Sequence, residues 1–247
     1  MEFPDAQHFE ASKLGTQSYW DSVYDRENDN FKEIGDIGEI WYNSHAMFGE
    51  DSVERMVEWV AENVEDKETK VIDLGCGNGH LLLALADEGY RNLVGIDYSE
   101  PAVQLAKSVA EQREYPWINY QAVDFLNDDS WRTEHYNVVL DKGTYDAISL
   151  NPDQQKAKEE GRAGPREQYV EAVRKMISPQ GVFLITSCNW TKEELTENFK
   201  QRMFSVVTLA WNTKPIRLRR FPVPLTYQIP HIFIWWTNWI KDLYSRI

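Results

Sequence analysis

The stretch VIDLGCGNGH, Val71 to His80, places three of the chain's 13 glycines within five residues, directly after an apolar run. Gly75, Gly77 and Gly79 can take backbone angles closed to other residues, and they let a ligand approach the main chain with no Cβ in the way. The run before them reads as a buried strand and HLLLALADEGY after them as a helix, so the glycines occupy a strand-to-helix turn. Such a turn also occurs for packing alone, and its meaning depends on what the rest of the chain places beside it.

The same alternation continues. NLVGIDYS reads as a second strand, Ser99 as the cap of the next helix with Pro101 in its first turn, INYQAVDF as a third strand and YNVVLDKG as a fourth. The apolar positions from Val53 to Val64 recur at helical spacing and predict a helix over 52–64. QKAKEEGRAGP reads as a charged loop, Tyr169 to Ile177 as a helix, GVFLITSCN as a fifth strand and FSVVTLAW as a sixth. Thr191 with Glu194 has the spacing of a capping box. Residues 1–50 are polar and mixed, with Gly35, Gly38 and Gly49 expected to interrupt any long helix. Strands alternating with helices of this length predict parallel βαβ units, hence a Rossmann-like, doubly wound, mostly parallel α/β sheet.

At 247 residues the chain is long enough for one large domain. Its net charge of −14 and pI near 4.8 argue against a nucleic-acid partner, which needs clustered Lys and Arg, and suit a basic protein instead. Two cysteines, Cys76 and Cys188, suggest no disulfide framework and a reducing, cytoplasmic or also nuclear setting. The charge is uneven: residues 201–247 carry seven Lys or Arg and one Asp, a net of +6, which leaves −20 on residues 1–200. Three segments follow: 1–50, a core over 51–200, and a divergent 201–247.

In an open α/β sheet the ligand crevice lies beyond the carboxyl ends of the strands. Asp97 ends the second strand 18 residues after Gly79, where its carboxylate can accept hydrogen bonds from both ribose hydroxyls of an adenosine. Asp124 ends the third strand and can bond the adenine amino group, with Phe125 beside the ring. Tyr98, next to Asp97, and Asp73, inside the first strand, complete the cofactor set. The turn is G-C-G-N-G rather than the G-x-G-x-x-G of dinucleotide enzymes, and no G-x-x-x-x-G-K pattern is present.

VIDLGCGNG, VGIDYS and AVDF together resemble the successive motifs of the class I, seven-strand S-adenosylmethionine methyltransferases. The resemblance implies S-adenosylmethionine as cofactor, a donor without phosphates that suits a tight turn with no basic residue. Asp141-Lys142-Gly143-Thr144 stands where enzymes that methylate planar nitrogens often carry Asn-Pro-Pro-Tyr or Asp-Pro-Pro-Tyr. LGTQSYWDSVYDRE, GDIGEIWY, GIDYSEPAVQLA, DKGTYDAISLNPD and FLITSCNWTKEEL extend the likeness, over roughly residues 12–200, to the elongation factor 1-alpha lysine methyltransferases of the methyltransferase-like group, the branch known as lysine methyltransferase 2. What this implies is a protein-lysine N-methyltransferase whose partner is translation elongation factor 1-alpha. A small-molecule methyltransferase and a catalytically impaired cofactor-binding interaction protein are the alternatives.

Within that frame Asp141 is the candidate catalytic residue and a further cofactor neighbour, orienting the acceptor amine where the fourth strand meets the methyl group; capping of the following helix is its other reading. The N-terminal segment of the family covers the cofactor, so Glu39 and Trp41 are expected to touch it, unless Trp41 and Tyr42 simply pack on the first helix. Tyr145 and Trp190 are candidate substrate-channel walls, with core packing as the alternative for each. His80 has no Cys or His at ligand spacing, and no metal is expected. The chain is expected to be monomeric.

Past residue 200 the family's closing strand, turn and last antiparallel strand are not recognisable. Four of the ten prolines lie there, including Pro222 and Pro224, which an interior strand excludes. The expectation is a sheet that lacks its closing strands, with a disordered or poorly packed tail. IPHIFIWWTNWI, following RLRR, could also rest on a membrane surface, although it is too short to span a bilayer.

Overall fold

The computed structural model describes residues 11–37, 50–130, 134–200, 205–210 and 231–236. A single turn of 3-10 helix, Lys13–Gly15, leads into α1 (Gln17–Ile34). Then follow α2 (Glu50–Asn63), β1 (Val71–Leu74), α3 (His80–Asp87), β2 (Leu93–Asp97), α4 (Glu100–Gln112), β3 (Asn119–Ala122), β4 (Tyr136–Lys142) and α5 (Thr144–Ser149). The remainder comprises α6 (Asp153–Glu159), α7 (Pro165–Met176), β5 (Ile177–Ser187), α8 (Lys192–Lys200), β6 (Ser205–Ala210) and β7 (His231–Trp236).

The strands form one seven-stranded sheet in the order β3-β2-β1-β4-β5-β7-β6, with every pairing parallel. Strand order reverses between β1 and β4, so the crevice expected of such a sheet opens above those two strands. Side-chain alternation divides the core in two. Val71, Val138 and Leu140 face α2, α3 and α4, where Trp59, Leu82 and Leu105 are fully buried. Ile72, Leu74 and Val139 face α5, α7 and α8, where Tyr169, Phe183 and Phe199 are fully buried. Burying one such large apolar side chain stabilises the fold by about 1.5–3 kcal/mol, and both faces are lined with them.

Local chemistry accounts for the helix ends. Ser99 Oγ accepts from the Ala102 N–H (3.4 Å) at the start of α4, with proline in the first turn, as expected. Thr191 and Glu194 close a reciprocal capping box: the Glu194 N–H donates to Thr191 Oγ1 (3.2 Å) and the Thr191 N–H to Glu194 Oε2 (2.8 Å).

Four expectations need correction. The N-terminal region holds an 18-residue helix, α1, and Gly35 ends it rather than interrupting it, with φ +71 and its N–H bonded to Phe31 O. The segment read as a charged loop begins inside α6, because Asp153 starts a short run of good helix formers that stops at Glu160 and Gly161. The sheet does not stop at its sixth strand: β7 lies between β5 and β6, in register from Val182↔His231 to Ser187↔Trp236. Part of the stretch considered for a membrane surface is therefore an interior strand, and its apolar β-branched and aromatic sequence suits that place. β7 also runs parallel, not antiparallel, to its neighbours. Residues 211–230 and 237–247, including Pro222 and Pro224, lie outside the described residues, and among those described no helix is long and apolar enough to cross a membrane.

Candidate active site

A cleft of about 740 Å³ opens at the carboxyl ends of the strands. Its floor follows the sheet order. Asp124 and Phe125 follow β3, Asp97 ends β2 with Tyr98 after it, Gly75 and Gly77 follow β1, and Lys142 ends β4 with Gly143 after it. Asp146 from α5 and Cys188 and Asn189 beyond β5 complete that wall.

The glycine turn is shaped by close approach. Gly77 has φ +53, and a Cβ there would stand 2.3 Å from Tyr24 Oη of α1; a Cβ on Gly75 (φ +67) would stand 2.3 Å from Thr144 Oγ1 of α5. Any side chain at either position would have to displace one of these neighbours. Asp97 is tied to the turn: Gly77 N–H donates to its Oδ2 (3.0 Å) and Ser99 N–H to its Oδ1 (2.9 Å). Each oxygen keeps a lone pair for a ligand hydroxyl. Burial pushes the Asp97 carboxyl up from 3.8 to about 6, while the backbone N–H groups of Ser99, Gly77 and Tyr98 pull it back. Asp124 is exposed and accepts from Asn127 Nδ2 (2.7 Å) and from the Leu126 N–H (3.2 Å). Phe125 is buried, edge-on to Tyr169.

Asp141 is not on this surface. Its carboxylate is fully buried on the opposite face of the sheet, where Oδ1 accepts from Thr144 N–H (2.8 Å) and Oδ2 from Tyr145 N–H (2.9 Å) and the Tyr169 hydroxyl. Burial pushes it up to about 7. The residue expected to orient the acceptor amine is instead the cap that fixes α5 behind the β4 tip. Tyr145 and Trp190 are likewise core residues, each 1% exposed. Their ring centroids are 5.5 Å apart, and Trp190 Nε1 donates to Ser149 Oγ (3.1 Å). Successive side chains of a helix point about 100° apart, so Tyr145 and Asp146 leave α5 in different directions, Tyr145 into the core and Asp146 to the cleft.

Asp146 is the acidic side chain that faces the cleft beside the β4 tip. Ser187 Oγ donates to its Oδ1 (2.6 Å) and Cys188 N–H to its Oδ2 (2.8 Å), and burial lifts it to about 6. Asp73 lies 2% exposed beneath the turn; burial raises it to about 8 against the attraction of Lys142. Trp41 and Glu39 lie outside the described residues. The cover that is described comes from α1, whose Gln17, Trp20 and Tyr24 line the cleft. Gln17 Nε2 donates to Tyr98 O (2.8 Å), and the backbone of Ser12 bonds Leu150 O (3.1 Å) on the other rim. This N-terminal stretch therefore bridges the β2 and β4 sides. Sequence reasoning missed Gln17, Trp20 and Tyr24 as site residues, although their spacing of three and four marks one helix face. Among the described residues no group of three or more His, Cys, Asp or Glu is placed to hold a metal ion.

These residues fit an S-adenosyl donor. The cleft volume lies in the range of small-molecule sites. The turn offers bare backbone and no Lys or Arg, and a preset buried carboxylate with spare lone pairs stands at the ribose position of the α/β crevice.

A methyltransferase-domain family model matches residues 65–239. The chain is 44% identical over 196 residues to EEF1A lysine methyltransferase 2 of Danio rerio, covering 79% of this chain and 78% of that protein. The Homo sapiens protein of the same name is 43% identical over 198 residues (80% and 78%). Protein-lysine N-methyltransferase efm4 of Schizosaccharomyces pombe is 43% identical over 210 residues (79% and 84%). Among solved structures the [4+2]-cyclase SpnF superposes with a TM-score of 0.54 at 13% identity, over 78% of this chain and 74% of that one, a likeness of fold alone.

Proposed function

Because this chain belongs to the methyltransferase family of EEF1A lysine methyltransferase 2 and efm4, we propose that it methylates a lysine of translation elongation factor 1-alpha. It is an S-adenosylmethionine-dependent protein-lysine N-methyltransferase, and the partner that accepts the methyl group is a protein. The observation that carries the reading is Asp97, held by the Gly77 and Ser99 amides on the floor of a cleft at the strand ends.

S-adenosylmethionine, when bound, supplies an electrophilic methyl on a sulfonium sulfur. The chain's residues have three tasks. Asp97 holds the ribose hydroxyls with a carboxylate whose orientation is set before binding, and Asp124 and Phe125 flank the adenine. Trp20 and Tyr24 cover the site and exclude water.

The third task concerns the acceptor. A lysine with an ordinary pKa of about 10.4 is under one part in a thousand neutral at pH 7, and only the neutral amine has a lone pair to attack. Desolvation in a partly apolar cleft favours that form, and a nearby sulfonium charge favours it further. Asp146, ionised at neutral pH and on the cleft wall, attracts the incoming ammonium and takes the place expected of Asp141. The proton leaves to water at the open mouth. Holding amine and methyl in line contributes several kcal/mol, about 7–11 at best, through effective molarity. The net charge of −14 favours encounter with a basic protein surface. We take the acting form to be a monomer.

The test is incubation of the purified chain with isotopically labelled S-adenosylmethionine and elongation factor 1-alpha, followed by mass spectrometric mapping. Label on a specific lysine is the expected result. Donor binding without transfer to that protein overturns the substrate assignment, and transfer to a small molecule alone replaces it.

A further inference from the structure

We propose that the Lys142 ammonium binds the carboxylate of the donor's amino-acid arm. This rests on S-adenosylmethionine as the donor and assigns a residue to its carboxylate, for which the site described above names no partner.

Register places Lys142 where the arm must pass. Leu74 is level with Ile96 of β2 and with Asp141 of β4, so one residue further on Gly75, Asp97 and Lys142 stand side by side at the cleft floor. With adenine at Asp124 beyond β3 and ribose at Asp97 on β2, the molecule runs along the sheet order, and its amino-acid arm lies over β1 and β4. That is the ground of Gly75 and Lys142.

Charge gives the same answer. At neutral pH the donor carries two positive centres, sulfonium and ammonium, and one carboxylate. The described cleft lining offers acidic side chains, including Asp97, Asp124 and Asp146, for the positive centres. For the carboxylate it offers two cations, Lys142 and Lys156. Lys156 is exposed on α6 and 3.9 Å from Glu160, at the outer rim. Lys142 is half-buried at the floor, beside a turn with no Lys or Arg of its own. Burial lowers its pKa, and Asp73 and Asp141 work against that by favouring the charged form. A carboxylate arriving in the cleft adds a partner for the ammonium from the open side, opposite Asp73 and Asp141.

Decarboxylated S-adenosylmethionine differs from the donor only by the missing carboxylate, so calorimetric binding of both ligands isolates the contact. The wild-type protein is expected to bind the intact donor about tenfold or more tightly than the decarboxylated one, the worth of a charge-assisted hydrogen bond. Lys142→Met is expected to lose that preference by weakening the intact donor alone, and Lys142→Arg to retain most of it. Unchanged binding of the decarboxylated ligand to Lys142→Met serves as the control for folding. Equal weakening of both ligands in that variant, or a preference that survives it, overturns the assignment and leaves the donor reading intact. Failure of the wild-type protein to bind either ligand overturns both.

Discussion

The tips of β2 and β4 carry the same residue and use it differently. Asp97 is the last residue of its apolar strand and Asp141 the last but one of its own, each is buried, and each accepts two backbone N–H groups. Yet Asp97 faces the cleft and keeps capacity for a ligand, while Asp141 faces α7, takes the Tyr169 hydroxyl as a third donor and has no exposed surface. The cause is one residue of register. Asp141 is level with Leu74, and Asp97 with the residue after it, and side chains alternate faces along a strand. An aspartate at a strand tip is thus a ligand or a strut according to whether its position is odd or even relative to the sheet.

The sharpest way to break this comparison is to replace each aspartate in turn. Asp141→Ala strands the Tyr169 hydroxyl and two amides in the core, and is expected to lower unfolding stability by about 3 kcal/mol. For a chain of this size that is roughly 6–12 °C in Tm. Asp97→Ala is expected to lower donor affinity about a hundredfold through the loss of two charge-assisted hydrogen bonds, with a smaller fall in Tm. Calorimetry and thermal melts on both variants decide it: if the stability loss belongs to Asp97 and the binding loss to Asp141, the assignment is inverted.

A second test uses acidity. Asp97 is protonated below about pH 6, and a protonated carboxyl gives up acceptor capacity. Donor affinity is expected to fall about tenfold between pH 7 and pH 5, and Asp97→Asn to lose most of that slope, the remainder belonging to Asp146. The contribution of the same group to folding runs the other way. Its folded value, about 6, lies above the ordinary 3.8, so stability from this residue is present below the lower value and lost as pH rises through the upper one. Opposite slopes for binding and for ligand-free stability identify a carboxylate held ready for a ligand. Parallel slopes would remove Asp97 from the ribose site.

The smallest expected effect concerns the roof over β1. Gly77→Ala places a Cβ against Tyr24 Oη, and Tyr24→Phe removes that oxygen while the positive φ remains. The double variant is expected to be less destabilised than the sum of the singles by about 0.5–1 kcal/mol in urea denaturation. Strict additivity would mean that α1 does not lie over the turn.

Much of the fold is legible in sequence because its signals are local. Apolar runs, the glycine turn, Ser99 as a cap and the Thr191–Glu194 box depend on neighbours a few residues away, and each appears in the structure. The β7 strand was not legible, since it pairs with β5 and β6 across sequence that carries strand-breaking prolines. Half of the site was legible too: Asp97, Tyr98, Asp124 and Phe125 line the cleft as their strand-end places suggested. Gln17, Trp20 and Tyr24 come from a helix whose role depends on packing against α4, a contact between residues far apart in sequence, such as Asn28 and Pro101, 73 residues apart.

Sequence by itself determined the alternation of strands and helices, the place of the bare-backbone turn and the acidic residues at the strand tips, because backbone conformation and burial periodicity are written in short windows. Tertiary structure decided which tips open to the cleft. Facing is a property of register between strands, and a shift of one residue sends Asp141 into the core and brings Lys142 level with Asp97.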